Sequence, residues 1–263
     1  MKEKTILLTL LSLISFCSKA QISSLIAGVS VSKMQVEYTF NGTQYSYQDN
    51  YSSRVGYHFG LLYERPFQNN RVKDISFFRQ MTWEAGLVIT TKGYLQDISD
   101  FYVGEDPNTT RDEFIDVIEK VKLTYLHVPL SIKYNFKNPN IYLLYGGALD
   151  IGLKGKISYF TEADENRQEY SLNVTWSNAP IGQKDLWGTV ADNPAILYEG
   201  DQIKRFDVGL LLGAGTTQDI ATINVRYVLG LSNISATNSY QALVRNQVLL
   251  ISVISNLNQF SGS

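Results

Sequence analysis

The chain has 263 residues, 23 Lys and Arg against 25 Asp and Glu, 12% aromatic content led by 17 Tyr, and one cysteine. A nearly balanced, slightly acidic chain lacks the basic footprint of a nucleic-acid binder, and one cysteine cannot build a disulfide framework. Beyond the first 20 residues no apolar run approaches the roughly 20 residues of a spanning helix, so a β-rich envelope protein is the natural class.

The N-terminal stretch MKEKTILLTLLSLISFCSKAQ places Lys2 and Lys4 before an apolar run from Ile6 to Phe16, then Ser18-Lys19-Ala20 as a small-x-small cleavage site. This reads as a secretory signal peptide over residues 1–20, followed by one domain over residues 21–263. Phe16 stands before Cys17, where a lipoprotein signal needs a small residue, so no lipid-modified start is expected. Cleavage removes the cysteine together with Lys2, Lys4, Lys19 and Glu3, leaving 243 residues with a formal charge of −4. The exported fold must then rest on packing and backbone pairing.

Eight segments follow with a two-residue period, the signature of strands whose successive side chains point to opposite faces. Residues 25–36 set Leu25, Ala27, Val29 and Val31 on one face, and residues 54–65 do the same with Val55, Tyr57, Phe59, Leu61 and Tyr63 opposite Gly56, His58, Gly60 and Glu64. Residues 80–94 oppose Met81, Trp83, Leu87 and Ile89 to Glu84, Thr90 and Lys92; residues 121–136 oppose Leu126, Val128, Leu130 and Ile132 to Tyr125, His127, Ser131 and Lys133. Residues 141–153 oppose Leu143, Tyr145 and Leu149 to Gly146, Ala148 and Asp150, with Lys154 continuing the polar parity. In residues 205–215, Phe206, Val208 and Leu210 oppose Arg205, Asp207 and Gly209, and in residues 221–231, Ile223, Val225 and Tyr227 oppose Asn224 and Arg226. The eighth segment, residues 243–257, is partly apolar on both parities, so its facing stays open.

The connections alternate in length along the chain: long at 37–53, 95–120, 155–204 and 232–242, short at 66–79, 137–140 and 216–219. Long outer loops, short periplasmic turns, an even strand count and both termini on the periplasmic side describe a transmembrane barrel. The expected fold is all-β: an eight-stranded antiparallel up-and-down transmembrane β-barrel with long extracellular loops in the outer membrane. A soluble β-sandwich or lipocalin-like barrel shares the alternation but turns its apolar parity inwards. Soluble strands rarely run this long so uniformly.

Three stretches carry a family likeness. WEAGLVITTKGY at 83–94, YLHVPLSIKYNF at 125–136 and YLLYGGALDIGL at 142–153 resemble the third, fourth and fifth strands of the PorT-type outer-membrane β-barrel proteins of Gram-negative bacteria. The resemblance implies an outer-membrane barrel, some members of which help assemble a secretion apparatus. Two departures stand out: His127 occupies a position where that family commonly has a glutamate, and where outer-membrane chains usually end on an aromatic residue that the insertion machinery recognises, this one ends Phe260-Ser261-Gly262-Ser263, with Phe260 as the expected stand-in.

With the apolar parity in lipid, the other parity collects His58, Glu64, Glu84, Lys92, His127, Lys133, Asp150, Lys154, Arg205, Asp207 and Arg226 in the lumen. Eight strands enclose barely enough room for side chains, and charges there are tolerated when paired and hydrogen-bonded. A structural polar network that plugs the barrel is the expectation, and a conduction path the alternative. A metal or acid–base site at His58 and His127 needs a clustering that parity does not establish. No catalytic, cofactor or metal residues are assigned. The acidic loops at 95–120 and 155–204, the latter with Trp176 and Trp187, are the candidate partner surface, and Thr110-x-x-Glu113 suggests a short helix cap. The expected function is a surface-exposed binding or structural platform and not an enzyme, with membrane lipid, lipopolysaccharide, the insertion machinery and a protein partner at the loops or in a secretion complex as contacts. A secretion-assembly factor, a narrow porin and a lipid-modifying enzyme are the alternatives.

Overall fold

The computed structural model describes residues 24–40, 43–46, 51–67, 80–105, 112–136, 140–161, 169–177, 202–218, 221–234 and 243–256. The signal-peptide stretch, Thr110, Trp187 and Phe260 lie outside them. The described strands are β1 (Ser24–Phe40), β2 (Thr43–Ser46), β3 (Tyr51–Pro66), β4 (Met81–Glu105), β5 (Asp112–Asn135), β6 (Ile141–Thr161), β7 (Glu169–Asn173), β8 (Thr175–Ser177), β9 (Gln202–Lys204), β10 (Phe206–Thr217), β11 (Ala221–Gly230) and β12 (Leu243–Asn256).

Eight of these form a closed antiparallel ring in the order β1, β3, β4, β5, β6, β10, β11, β12 and back to β1. Closure runs along β1 and β12, from Ser24 opposite Asn256 to Glu37 opposite Leu243. β10 joins β6 from Thr216 opposite Ile141 to Phe206 opposite Ile151. β2 pairs with β1, β7 pairs with β6, and the short parallel pair of β8 and β9 forms a separate two-stranded sheet.

The period of two in the sequence becomes two chemically distinct surfaces. Val55, Phe59, Leu130, Leu143, Tyr145, Leu210, Leu212, Ile223 and Val253 are exposed on the outside. So broad an apolar surface is the face a barrel turns to lipid. The inward parity holds His58, Glu84, Lys92, His127, Asp150, Asp207 and Arg226, all buried. On β12 the inward set is Val244, Asn246, Val248, Leu250, Ser252 and Ile254, with Ile251 and Val253 outside.

One of the ladder's irregularities lies within the wall between β3 and β4. Pairing of β3 with β4 shifts between Ser53 and His58. There Ser30 Oγ, from the far side of β3, donates to the Thr91 carbonyl at 2.7 Å, and Ser32 Oγ lies 2.9 Å from both the N–H and the carbonyl of Gly93. Thr91 Oγ1 accepts from Tyr57 N–H at 2.9 Å. These hydroxyls satisfy backbone groups that the interrupted ladder leaves without partners. Gly93 itself has φ of +146°, a region that L side chains rarely adopt, and a Cβ there would run into the Val121 carbonyl oxygen.

Two expectations are corrected. Residues 95–105 and 112–120, read as loop, are strand, as are 37–40, 43–46, 51–53 and 155–161 at the ends of the other expected loops: β4 and β5 stay paired from Asp97 opposite Ile118 up to Glu105 opposite Asp112, with register shifts between Ile98 and Phe101 and between Tyr102 and Gly104. Glu113 is therefore in a strand and not in the first turn of a helix; Ile98, Phe101, Tyr102, Val103, Phe114, Ile115 and Val117 give the stretch a β-favouring composition despite its acids. Lys154 points outwards. The ladder between β5 and β6 slips between Thr124 and Tyr125, leaving Leu153 as an extra residue that reverses the parity after it.

Leu130 lies midway along the outward apolar run of β5 and is 62% exposed. Replacing it with Arg is expected to cost about 2–4 kcal/mol when unfolding is measured by urea titration in lipid vesicles, because the guanidinium would sit near the bilayer midplane. An unchanged midpoint would place this face in water.

Candidate functional site

The interior is layered from the loop end of the ring to the turn end. At the mouth, Met34, Tyr51, Tyr94, Val121, Leu123, Tyr125, Ile157, Val174, Ile203, Ile234 and Val244 form one buried apolar cluster. Val174 and Ile203 come from the segment between β6 and β10. They are tied down by backbone bonds: Val174 N–H to the Gly155 carbonyl at 3.0 Å and Lys204 N–H to the Ile234 carbonyl at 2.7 Å. The Trp176 ring packs edge-on to Tyr125, with centroids 5.5 Å apart, over Gly152, where a Cβ would collide with the indole. Trp176 is thus turned into the mouth.

Beneath this cap lies a charged layer. Lys92 Nζ donates to Asp150 Oδ2 at 2.6 Å and stands 3.8 Å from Asp207 Oδ2. The other Asp150 oxygen is 2.8 Å from His127 Nδ1. An ionised carboxylate only accepts, so this nitrogen carries the proton. Asp207 accepts from Ser232 Oγ at 2.6 Å and from Asn246 Nδ2 at 2.8 Å, while the Lys92 ammonium also faces the Tyr125 ring, 5.0 Å from its centroid.

A second layer centres on Arg226. Its guanidinium forks onto Glu84, with Nη1 to Oε1 at 2.6 Å and Nη2 to Oε2 at 2.9 Å, and its Nε donates to Asn224 Oδ1 at 2.7 Å. Asn224 Nδ2 then donates to Tyr142 Oη at 2.6 Å. This two-point geometry is the strongest form of the Arg–carboxylate pair. His58 Nε2 pairs with Ser252 Oγ at 2.8 Å. Nearer the turn end, Lys133 Nζ donates to both Glu64 oxygens at 3.1 and 3.2 Å, and lies 4.0 Å from the centroid of the Tyr142 ring.

The predicted lumen residues thus fall into three groups: Lys92, His127, Asp150 and Asp207; Glu84 and Arg226; Glu64 and Lys133. His58 stands apart with Ser252. Arg205 is half-buried at the junction of β9 and β10, where its carbonyl accepts from Gly152 N–H at 2.7 Å. It makes no ion pair among the described residues. Sequence reasoning did not single out Asn224, Tyr142, Asn246 or Ser232. Asn224 and Tyr142 sit on inward parity positions and were open to the same logic, whereas Ser232 lies beyond the end of its strand. Among the described residues no three His, Cys, Asp or Glu side chains converge as metal ligands.

An apolar outer wall, a ring closed without a free edge in the bilayer, and an interior of buried ion pairs define an eight-stranded transmembrane β-barrel. The chain belongs to the outer membrane protein β-barrel domain family, whose model matches residues 20–236, and its location is the outer membrane. Similar solved structures include Ail, the attachment invasion locus protein of Yersinia pestis, in complex with the heparin analogue sucrose octasulfate, at 11% identity over 89% of this chain and 99% of that one, TM-score 0.35. Neisserial surface protein A matches at 10% identity over 89% and 97%, TM-score 0.34. The Pseudomonas putida toluene transporter TodX matches at 8% identity over 92% of each chain, TM-score 0.32. No curated protein matches the sequence.

Arg226 is 1% exposed and Glu84 likewise. Arg226→Met leaves that carboxylate buried without its cation and is expected to cost about 3–5 kcal/mol in urea unfolding; adding Glu84→Leu should recover most of the loss, because a buried pair contributes little over apolar residues of similar volume. A double variant as unstable as the single one would contradict this.

Proposed function

We propose that this outer-membrane barrel serves as a surface-exposed binding or structural platform with a plugged lumen, and that it is not an enzyme. The supporting observation is the unequal height of the wall. β4 and β5 run 25 and 24 residues against 10 for β11. A tilted strand needs roughly 9–11 residues to cross the bilayer, so β4 and β5 continue well above it as a paired sheet. That sheet and its connections carry many of the acidic residues of the mature chain, including Glu105, Asp106, Asp112, Glu113 and Asp116.

The buried ion pairs and the apolar cap support a lumen without a water path. His58, Glu64, Glu84, Lys92, His127, Lys133, Asp150, Asp207 and Arg226 then act structurally, holding the wall from within. The partner surface is the raised hairpin together with the segment that bears Trp187. The contacts we assign are the surrounding lipid, the insertion machinery during assembly and a protein at the cell surface. PorT-type membership is the finer family reading, with export through residues 1–20 as signal peptide, and it carries a second functional reading as an accessory of a secretion apparatus.

The test shortens the hairpin by replacing residues 99–116 with a two-residue turn that closes Ile98 onto Val117. The shortened barrel is expected to insert and melt as the full chain does, to show no open-channel conductance in planar bilayers, and to lose the protein crosslinks that photoreactive residues in the hairpin form in cells. Retained function and crosslinking to the barrel wall alone, or steady conductance of the intact chain, would overturn the reading.

A further inference from the structure

We propose that the outer wall of β5 and β6 carries a docking site for the phosphate groups of a phosphorylated glycolipid in the outer leaflet, built by Lys120, Lys122 and Lys154. This deepens the expected contact with lipopolysaccharide. It rests on the outer-membrane location and not on the platform reading.

Along β5 the outward residues are apolar from Phe136 to Leu126, then Thr124, then Lys122 and Lys120. Along β6 they are largely apolar from Ile141 to Leu153, then Lys154 and Lys156. The two strands are in register, so that Lys122 lies opposite Lys156 and Thr124 opposite Lys154. All four lysines are exposed.

The lysines begin where the apolar band ends, on the side of the ring away from the termini and short turns, which is the headgroup level of the outer leaflet. Among the described side chains nearby acids are few. Glu119 faces inwards and accepts from Tyr94 Oη at 2.7 Å, and on β4 the exposed Asp97 lies two positions beyond Leu95, the residue opposite Lys120. Lys120, Lys122 and Lys154 form no ion pair among the described residues. Lys122 leans across Gly93, its side-chain-free neighbour on β4, to within 5.9 Å of the Tyr57 ring centroid. Ammonium groups beside an apolar wall match a ligand whose phosphates sit directly above acyl chains. The cations at similar height on β1 and β12 have other company: Lys33 and Arg245 lie in register with Gln247 and Gln35, and Gln35 donates to Glu37 at 2.6 Å.

The test titrates the full-length barrel, purified in mild detergent, with bis-phosphorylated lipid A and reads bound lipid by native mass spectrometry. A lysine beside an anionic surface contributes roughly a fivefold gain in affinity, so the Lys120→Gln/Lys122→Gln/Lys154→Gln variant should bind on the order of a hundredfold more weakly. Phosphatase-treated lipid A should bind the unaltered chain as weakly. The Lys33→Gln/Arg245→Gln variant and the barrel with the shortened hairpin should bind like the unaltered chain, which separates this site from the platform reading. The corresponding triple Lys→Arg variant should retain binding and guards against misfolding of the glutamine variant. Equal binding of the treated lipid, an equal loss in the Lys33/Arg245 variant, or equal binding of phosphatidylglycerol would overturn the proposal in favour of diffuse anion attraction. Full competition by inorganic phosphate would assign the site to free phosphate instead.

Discussion

Hydrocarbon offers no partner to a backbone N–H or C=O, and the architecture of this protein follows from that constraint. Each polar backbone group at membrane depth must be satisfied within the wall, which forces the first strand to meet the last. The long register between β1 and β12 is that closure. The break between β3 and β4 tests the rule. Where the ladder fails, Ser30, Ser32 and Thr91 supply hydroxyls to the same backbone groups, and the hydroxyls of Ser30 and Thr91 occupy space that a Cβ at Gly56 would take.

Closing eight strands leaves a narrow interior, and its width decides the chemistry inside. Long side chains from facing walls meet, so Glu84 on β4 reaches Arg226 on β11 across the lumen, and Lys92 on β4 reaches Asp150 on β6. Such contacts join strands that share no ladder. They also carry polar groups through a low-dielectric space, where each must find a partner or destabilise the fold. Apolar residues make up the balance: Tyr142, Leu144, Ala148, Leu211, Val228, Val248 and Leu250 pack as one cluster alongside the charged groups.

The two-residue period made the wall legible, because apolar and polar residues alternate wherever one face meets lipid and the other meets charge. It failed where that contrast vanishes. β12 is apolar on both parities because Val244, Val248 and Leu250 fill the lumen while Ile251 and Val253 meet lipid. It failed also at Lys154, since an extra residue in one strand is invisible until the partner strand is known. The raised hairpin of β4 and β5 reads as loop in the sequence because its acids resemble a solvated connection, whereas its register continues unbroken from the membrane wall as far as Ile98 opposite Val117. Parity assigned residues to a side of the wall but not to one another: Glu84 and Arg226 are 142 residues apart, and nothing local distinguishes that pairing from its rivals.

The uneven rim has a geometric consequence. A cylinder with a level edge looks the same from every compass direction in the plane of the bilayer, but the described strands of this one rise highest along β4 and β5 and stop lower along β10 and β11. The molecule therefore has a front and a back as well as a top and a bottom. Anything that grips the tall side fixes the rotation of the barrel about the membrane normal, and the sequence of strands around the ring becomes a map of which neighbour lies on which flank.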